Sequence, residues 1–325
     1  MKNINKYIFF ILFILISFLI IIKLYNYFKD KEFTKTINYL DTDIVITIKT
    51  NTKKANKIFN KIEKIYSKYE KLIDNRNSYD NLNNLYTINY NFNKEDYIEL
   101  DSDLYDLIEY GISIYDKTNG YIDISNGNIQ KLWDEYLITK VGKPDDLVLS
   151  LGNNQSINDI ILLDKNRIKN NHININLDYI VKGYILGIIN KLLKENNIQN
   201  YSINDQNNII LGKKKDNYYI AIPDPDNKKN TLKILKKQNV SISITDYKNN
   251  YLINENNIYH NLINKDTNKP SNLFKSVIVI SDNIKDAEMI SKTLFFMSYE
   301  DGKKWLKDKN YIDIYWYTLD NKLIK

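Results

Sequence analysis

The sequence contains no cysteine. That excludes disulfides, thiolate metal sites and cysteine nucleophiles. It also excludes a lipid anchor carried on a cysteine. Proline occurs 4 times and glycine 9 times in 325 residues. No repeat, low-complexity linker or proline-rich hinge divides the chain after residue 33. The net charge is +6, but the lysines are scattered rather than clustered, and no zinc-finger spacing occurs. A nucleic-acid partner is therefore not expected. Asn, Lys, Ile and Tyr (27 Tyr) are over-used along the whole chain, a global bias rather than a signature of function. With 43% hydrophobic and 26% charged residues, the chain is long enough to bury a substantial core.

The N-terminus carries the one long apolar run. Lys2 and Lys6 precede it, and it extends from Tyr7 to Ile22 with Ser17 as its only polar break. Lys23 ends the strict run, and Tyr25, Tyr27 and Phe28 follow as interfacial aromatics. Counted through Phe28, with Lys23 reaching out to the interface, the run is long enough to span a bilayer. No small-residue cleavage site follows it. The expectation is an uncleaved transmembrane anchor over residues 1–32 and one folded domain over 33–325. Lysines flank the run on both sides, so charge alone does not fix its orientation.

Along the domain, hydrophobic period separates strands from helices. Asp43–Lys49 alternates as a strand, and Ala55–Tyr69 keeps one helical face. Asp74–Asn93 reads as a loop with short helical turns. Asp101-Ser102-Asp103 caps a helix that Gly120 ends. Ile129–Tyr136 is a short helix. Strands are predicted at 161–168, 201–203, 208–211, 218–222, 240–244, 250–253, 258–263, 276–280 and 311–317. Lys285–Met297 is a helix. The pattern gives an α+β domain on an antiparallel-leaning sheet.

One stretch organises the rest. Ile173, Ile175 and Leu177 alternate like a half-buried strand, and Lys182-Gly183 sits at a turn. A helix follows, with Ile185, Ile188, Ile189, Leu192 and Leu193 on one face. A strand that turns into a helix leaves unpaired N–H groups, which suit an anion or phosphate. The local pattern leaves two readings open, an anion site or an ordinary connection with a solvated lysine.

The ordered series of motifs around that turn resembles the ApbE family, the FAD:protein FMN transferases. Tyr39-Leu40-Asp41-Thr42 opens the series. Asn119-Gly120-Tyr121-Ile122-Asp123-Ile124-Ser125-Asn126-Gly127 follows, with Leu132-Trp133 behind it. Asn176 to Tyr184 carries the turn, and Asn204 to Asn208 and Ser243 to Tyr247 come next. His260 to Pro270 and Ala287 to Leu294 complete it. The resemblance implies a single ApbE-like, T-fold-like domain, held outside the cell membrane by its anchor. It implies transfer of FMN from FAD to a Thr or Ser of an acceptor flavoprotein, with release of AMP. FAD would be the substrate and Mg²⁺ the cofactor. Lys182, Asp246 and Asn261 stand at catalytic positions. Leu40, Asp123, Lys182, Tyr184, Asn208, Thr245 and Asn264 stand at cofactor-binding positions. The Val181 carbonyl, Glu288 and Lys292 stand at the metal positions.

The chain departs from the family pattern at several of these places. An ammonium cannot ligate a cation, so Lys292 either pairs with Glu288 on a helix face or neutralises a phosphate in the metal's place. Asp178-Tyr179 stands where the family has Gly-Gly, which puts bulk and charge near the ligand. Asn261 and Asn264 replace a His and an Asp. His260 is one place early, which in a strand points it to the opposite face. A second function is therefore kept beside the first, a catalytically impaired member that only binds FAD or a partner flavoprotein.

Overall fold

A computed structural model describes residues 2–325, except 91–96, 153–154, 228, 249–250 and 255–256. The side chains of 2–9, 26 and 28 are also outside the described set. The end of the loop expected at 74–93 and the first residue of the strand expected at 250–253 fall among the omitted residues.

The domain is built on one sheet of eight strands in which chain order and spatial order coincide. They are β1 (Lys31–Tyr39), β2 (Thr42–Thr50), β3 (Tyr201–Asn204), β4 (Asn208–Leu211), β5 (Val240–Asp246), β6 (Ser276–Ser281), β7 (Asp313–Tyr317) and β8 (Leu323–Ile324). Every neighbouring pair is antiparallel. The α+β class expected from the sequence is what is found. β1 was not anticipated as a strand, and its turn is unusual. Leu40 and Asp41 carry φ of 48° and 56°, the left-handed pair that a two-residue hairpin requires. Asp tolerates that conformation, whereas Leu rarely adopts it.

The helices of more than seven residues are α1 (Lys2–Phe28), α2 (Thr52–Leu72), α3 (Ser102–Lys117), α4 (Gly127–Thr139), α5 (Val181–Glu195) and α6 (Ile284–Phe296). α2, α5 and α6 cover one face of the sheet. A hairpin of 218–223 and 231–237 covers part of the other. β6 is sandwiched. Val277 and Val279 face the helices, while Ile278 and Ile280 face the hairpin. That is why its sequence is a continuous apolar run rather than an alternating one.

β5 shows a second division of labour. Val240, Ile242 and Ile244 pack against the hairpin. Ser241, Ser243 and Thr245 alternate with them and are buried toward α6. Ser291 of α6 meets them, with its Oγ 2.9 Å from Thr245 Oγ1 and 3.1 Å from Ser243 Oγ. Small hydroxyls let the helix come close and satisfy each other once there.

The segment 173–177 was expected as a strand, and it has no strand partner. The alternation itself is real, since Ile173, Ile175 and Leu177 are all buried. Side-chain amides replace the missing ladder. Asn89 Oδ1 accepts from the Ile175 N–H at 2.9 Å, and Asn89 Nδ2 donates back to the Ile175 carbonyl at 3.0 Å. Asn170 brackets Ile173 in the same way. The remaining bonds go to the Gly127 N–H and the Ile124 carbonyl. A Cβ on Gly127 would strike the Asn174 carbonyl, so glycine is required there.

The N-terminal expectation is only partly met. The segment is one helix, α1, and its described apolar side chains from Phe10 to Ile22 are exposed. Among the described residues, no helix is long and apolar enough to cross a membrane. Those 13 residues cover about 20 Å at ~1.5 Å each, short of a hydrocarbon core of about 30 Å. The expected full span from Tyr7 to Phe28 needs side chains outside the described set.

Two predictions come from this packing. A Cβ on Gly183 of α5 would collide with Glu288 Oε2, whereas one on Gly187 would meet only movable methylenes of Lys285. Gly183→Ala is expected to cost about 1–3 kcal/mol, and Gly187→Ala close to nothing, read as urea midpoints. The second concerns His260, which is 1% exposed. Its Nε2 is 2.9 Å from the Ser271 carbonyl, and its Nδ1 accepts from the Leu262 N–H. Burial pushes its pKa down to about 4. Between pH 6.5 and about 4 the unfolded chain binds a proton that the folded chain refuses. Stability from the neutral ring is complete above about pH 6.5 and is lost as pH falls, by roughly 3 kcal/mol at most. His260→Gln should flatten the stability slope in that window, and equal slopes would refute the assignment.

Candidate functional site

The Lys182-Gly183 turn opens α5, and α6 lies against it. Glycine at 183 allows a carboxylate to sit on the helix start. The Gly183 N–H donates to Glu288 Oε2 at 3.0 Å. Glu288 and Lys292 are one turn apart on α6, and Lys292 Nζ lies 3.0 Å from Glu288 Oε1. The same ammonium donates to the Tyr179 carbonyl at 2.6 Å. Asn208 Nδ2 approaches Glu288 Oε1 at 3.4 Å and Asp205 Oδ2 at 3.2 Å. Asp205 is buried, which raises its pKa, as does Glu288. The Asn208 hydrogen bonds and the Lys182 charge act against that rise. Lys182 Nζ donates to Oγ1 of Thr42, the first residue of β2, at 2.9 Å.

Of the residues expected to form a site, Lys182, Asn208, Glu288 and Lys292 therefore come together. Val181 is the first residue of α5 beside them and is buried. Thr245 joins through Ser291, whose Oγ also donates to the Glu288 carbonyl at 3.1 Å. Leu40 sits on the hairpin turn two residues from Thr42. Asp246 ends β5, where its Oδ1 accepts from the Lys248 N–H.

A second group gathers around the 261–270 loop. Asn264 uses its amide locally, donating to the Phe296 carbonyl and accepting from the Asp266 N–H. The Asn261 carbonyl accepts from Tyr179 Oη at 2.7 Å and Gln130 Nε2 at 2.9 Å. Trp133 Nε1 donates to the Asn268 carbonyl at 2.8 Å. Asn268 takes φ of 55°, a conformation that Asn accepts in place of Gly. Asp123 Oδ1 accepts from the N–H and hydroxyl of Ser125. Burial raises its pKa, while Ser125 and Lys265 oppose the rise. Tyr184 lies apart from both groups. It is buried against Tyr69 and Tyr110, with Lys285 Nζ 3.7 Å from its ring centre.

A cleft of about 640 Å³ opens between the hairpin turn at Leu40-Asp41 and the segment Asn174–Asp178 that leads into the Lys182 turn, and none of Lys182, Asn208, Glu288 and Lys292 lines it. Leu40, Asp41, Arg76, Lys131, Asp134 and Asp178 are among its lining residues. Six of the lining side chains are acidic and two are basic. Burial, and then Asp178, push Asp134 up to about 6. Tyr179 does not enter this cleft. Its hydroxyl also accepts from the Ile263 N–H at 2.8 Å, and the side chain ties the turn to the second group.

The residues present do not fit a divalent metal. Among the described residues no three His, Cys, Asp or Glu side chains converge. Glu288, the one carboxylate at the expected metal positions, is already bonded by an ammonium and an N–H. Three participants were absent from the expected site: Asp205, Tyr179 as a brace, and Gln130. Asp205 lies inside the Asn204–Asn208 segment, where the general excess of Asn hides the one acid. Its signal is an acidic residue just before a fully buried strand.

The family model described as the ApbE family matches residues 40–316. A FAD:protein FMN transferase of Buchnera aphidicola subsp. Schizaphis graminum is 26% identical over 227 residues. That match covers 65% of this chain and 65% of the relative. An ApbE protein from Thermotoga maritima superposes with a TM-score of 0.78 at 17% identity, over 91% of this chain and 97% of its own. The flavin transferase ApbE of Vibrio cholerae gives 0.71 at 16%, over 91% and 97%. The flavinyl transferase ApbE of Pseudomonas stutzeri gives 0.73 at 16%, over 91% and 94%. These likenesses extend across the sheet and both residue groups, and the chain belongs to the ApbE family.

Proposed function

We propose that this protein is a FAD:protein FMN transferase. The observation that carries the reading is the family match over residues 40–316, within which Lys182 is held by Thr42 beside a cleft of nucleotide size. In this reading the hydroxyl oxygen of an acceptor Thr or Ser bonds to the FMN phosphorus of FAD. The bond from that phosphorus to the bridging oxygen breaks, and AMP departs with that oxygen. The hydroxyl proton passes to a base, for which Asp246 is the proposed carboxylate. Lys182 neutralises the charge that builds on the phosphates. Leu40, at the mouth of the cleft, contacts the flavin nucleotide. Thr245 acts through Ser291 by fixing α6 rather than by touching the ligand. Asn261, Asn264 and Asp123 shape the loop that closes the site's far side.

A second reading is favoured by one specific observation. Asn264 stands where the resemblance implies an acid, and its amide is spent on the Phe296 carbonyl and the Asp266 N–H, which takes a group from the reaction without closing the cleft. On that reading the protein binds FAD or a partner flavoprotein without turnover.

The localisation that accompanies the first reading is attachment to the cell membrane with the domain outside the cytoplasm. Its support is the exposed apolar stretch Phe10–Ile22 of α1. Recovery of the full chain in the soluble fraction of lysed cells would oppose it.

The activity is tested by incubating the full chain with FAD and an acceptor flavoprotein, over a range of Mg²⁺ concentrations that includes none. Covalently bound flavin and free AMP are expected in equal amounts. Lys182→Met should lower kcat/KM by about a hundredfold. Retained FAD without AMP would move the assignment to the binding-only reading. No AMP, no bound FAD and no complex with the acceptor flavoprotein would end both.

A further inference from the structure

The charges at the start of α5 balance without any added ion. Two carboxylates, Asp205 and Glu288, are buried there. Two ammonium groups answer them. Lys182 lies near enough to lower the pKa of Asp205, and Lys292 contacts Glu288 Oε1 at 3.0 Å. The formal sum of these four groups is zero. A divalent cation placed among them would meet two like charges, and nothing unbalanced would attract it.

Lys292 is also placed to do more than neutralise Glu288. Its side chain is only 14% exposed. Two contacts fix the ammonium, an ion pair with Glu288 and a hydrogen bond to the Tyr179 carbonyl. An ammonium has three donors. Among the described residues Lys292 makes no contact beyond these two, so an N–H remains for an anionic oxygen. The neighbouring residue in the turn, Asp178, lines the cleft.

We propose that Lys292 is this protein's own cation at the flavin-nucleotide site, replacing a divalent metal. The ammonium donates its third N–H to a ligand phosphate oxygen, and ligand binding needs no added metal. This rests on the reading that the cleft takes a flavin nucleotide. Lys292 is in that sense a binding residue of the chain's own making. The carbonyl and carboxylate that hold it are its positioning groups.

The test has two arms that fail separately. In the first, Mg²⁺ alone is titrated by calorimetry into the full chain after EDTA treatment and dialysis, and thermal unfolding is followed in parallel. No saturable heat and no shift in Tm are expected. Saturable Mg²⁺ binding by the native chain would overturn the proposal, whether or not FAD binds. In the second arm, FAD binding is followed by quenching of its fluorescence, with EDTA or with Mg²⁺. Equal affinity in the two conditions is expected. Lys292→Met should lose about tenfold to a hundredfold in affinity, and it should gain a Mg²⁺-dependent rise in Tm as the carboxylates lose their counter-ion. An FAD affinity that requires Mg²⁺ in the native chain would overturn the proposal. So would a folded Lys292→Met chain that neither loses affinity nor gains the Mg²⁺ response. Absence of FAD binding in every sample would instead defeat the flavin reading, and the first arm would still decide the ion.

Discussion

A buried carboxylate is the constraint on which the arrangement depends. Glu288 is 4% exposed, and a charge so placed is stable only with good partners on several sides. It has the Gly183 N–H, the Lys292 ammonium and the Asn208 amide. These come from α5, from α6 itself and from β4. Removing one partner of a buried ionic contact typically costs about 3–5 kcal/mol. The helices and the strand are therefore fixed relative to each other by chemistry as well as by apolar packing. Ser291, one turn on from Glu288, adds β5 to the same assembly through its hydroxyl contacts.

Asparagine has an unexpected structural part. Its abundance makes any single Asn uninformative in the sequence, and the motif positions occupied by Asn look degraded for that reason. In the fold, Asn89 and Asn170 do the work of a neighbouring strand for residues 173–175. Asn264 and Asn268 shape the 261–270 loop, the first through its amide and the second through its backbone. A side-chain amide offers the same donor and acceptor as a peptide group. A chain rich in it satisfies buried backbone without extending the sheet.

Periodicity revealed much of the fold. Six of the eight sheet strands and the faces of α2, α3, α5 and α6 follow from the spacing of apolar residues. What it missed has physical causes. β1 alternates Phe33, Thr34, Lys35, Thr36 and Ile37 with few strong apolar residues, because it is an edge strand. Residues 173–177 have a strand's alternation and no ladder, since burial sets period and hydrogen bonding sets strand identity. At the site, the sequence brought Lys182, Asn208, Glu288 and Lys292 to one place through motif order. It could not show that Lys292 would turn to the Tyr179 carbonyl, because that contact joins residues 113 apart. Nor could it separate the group at Lys182 from the one at Asn261, since both draw on the same turn.

The sheet has a consequence in time. β2 pairs with β3, yet residues 51–200 lie between them. At synthesis rates of about 5–20 residues per second, the inner edge of β2 waits roughly 8 to 30 s for its neighbour to be made. For most of that interval, until α5 is made, Ile44, Ile46 and Ile48, all buried in the finished protein, have α2 but neither α5 nor α6 to cover them. The hairpin that will hold Lys182 through Thr42 is thus among the first parts of the domain to exist, and it waits the length of residues 51–200 for its neighbouring strand.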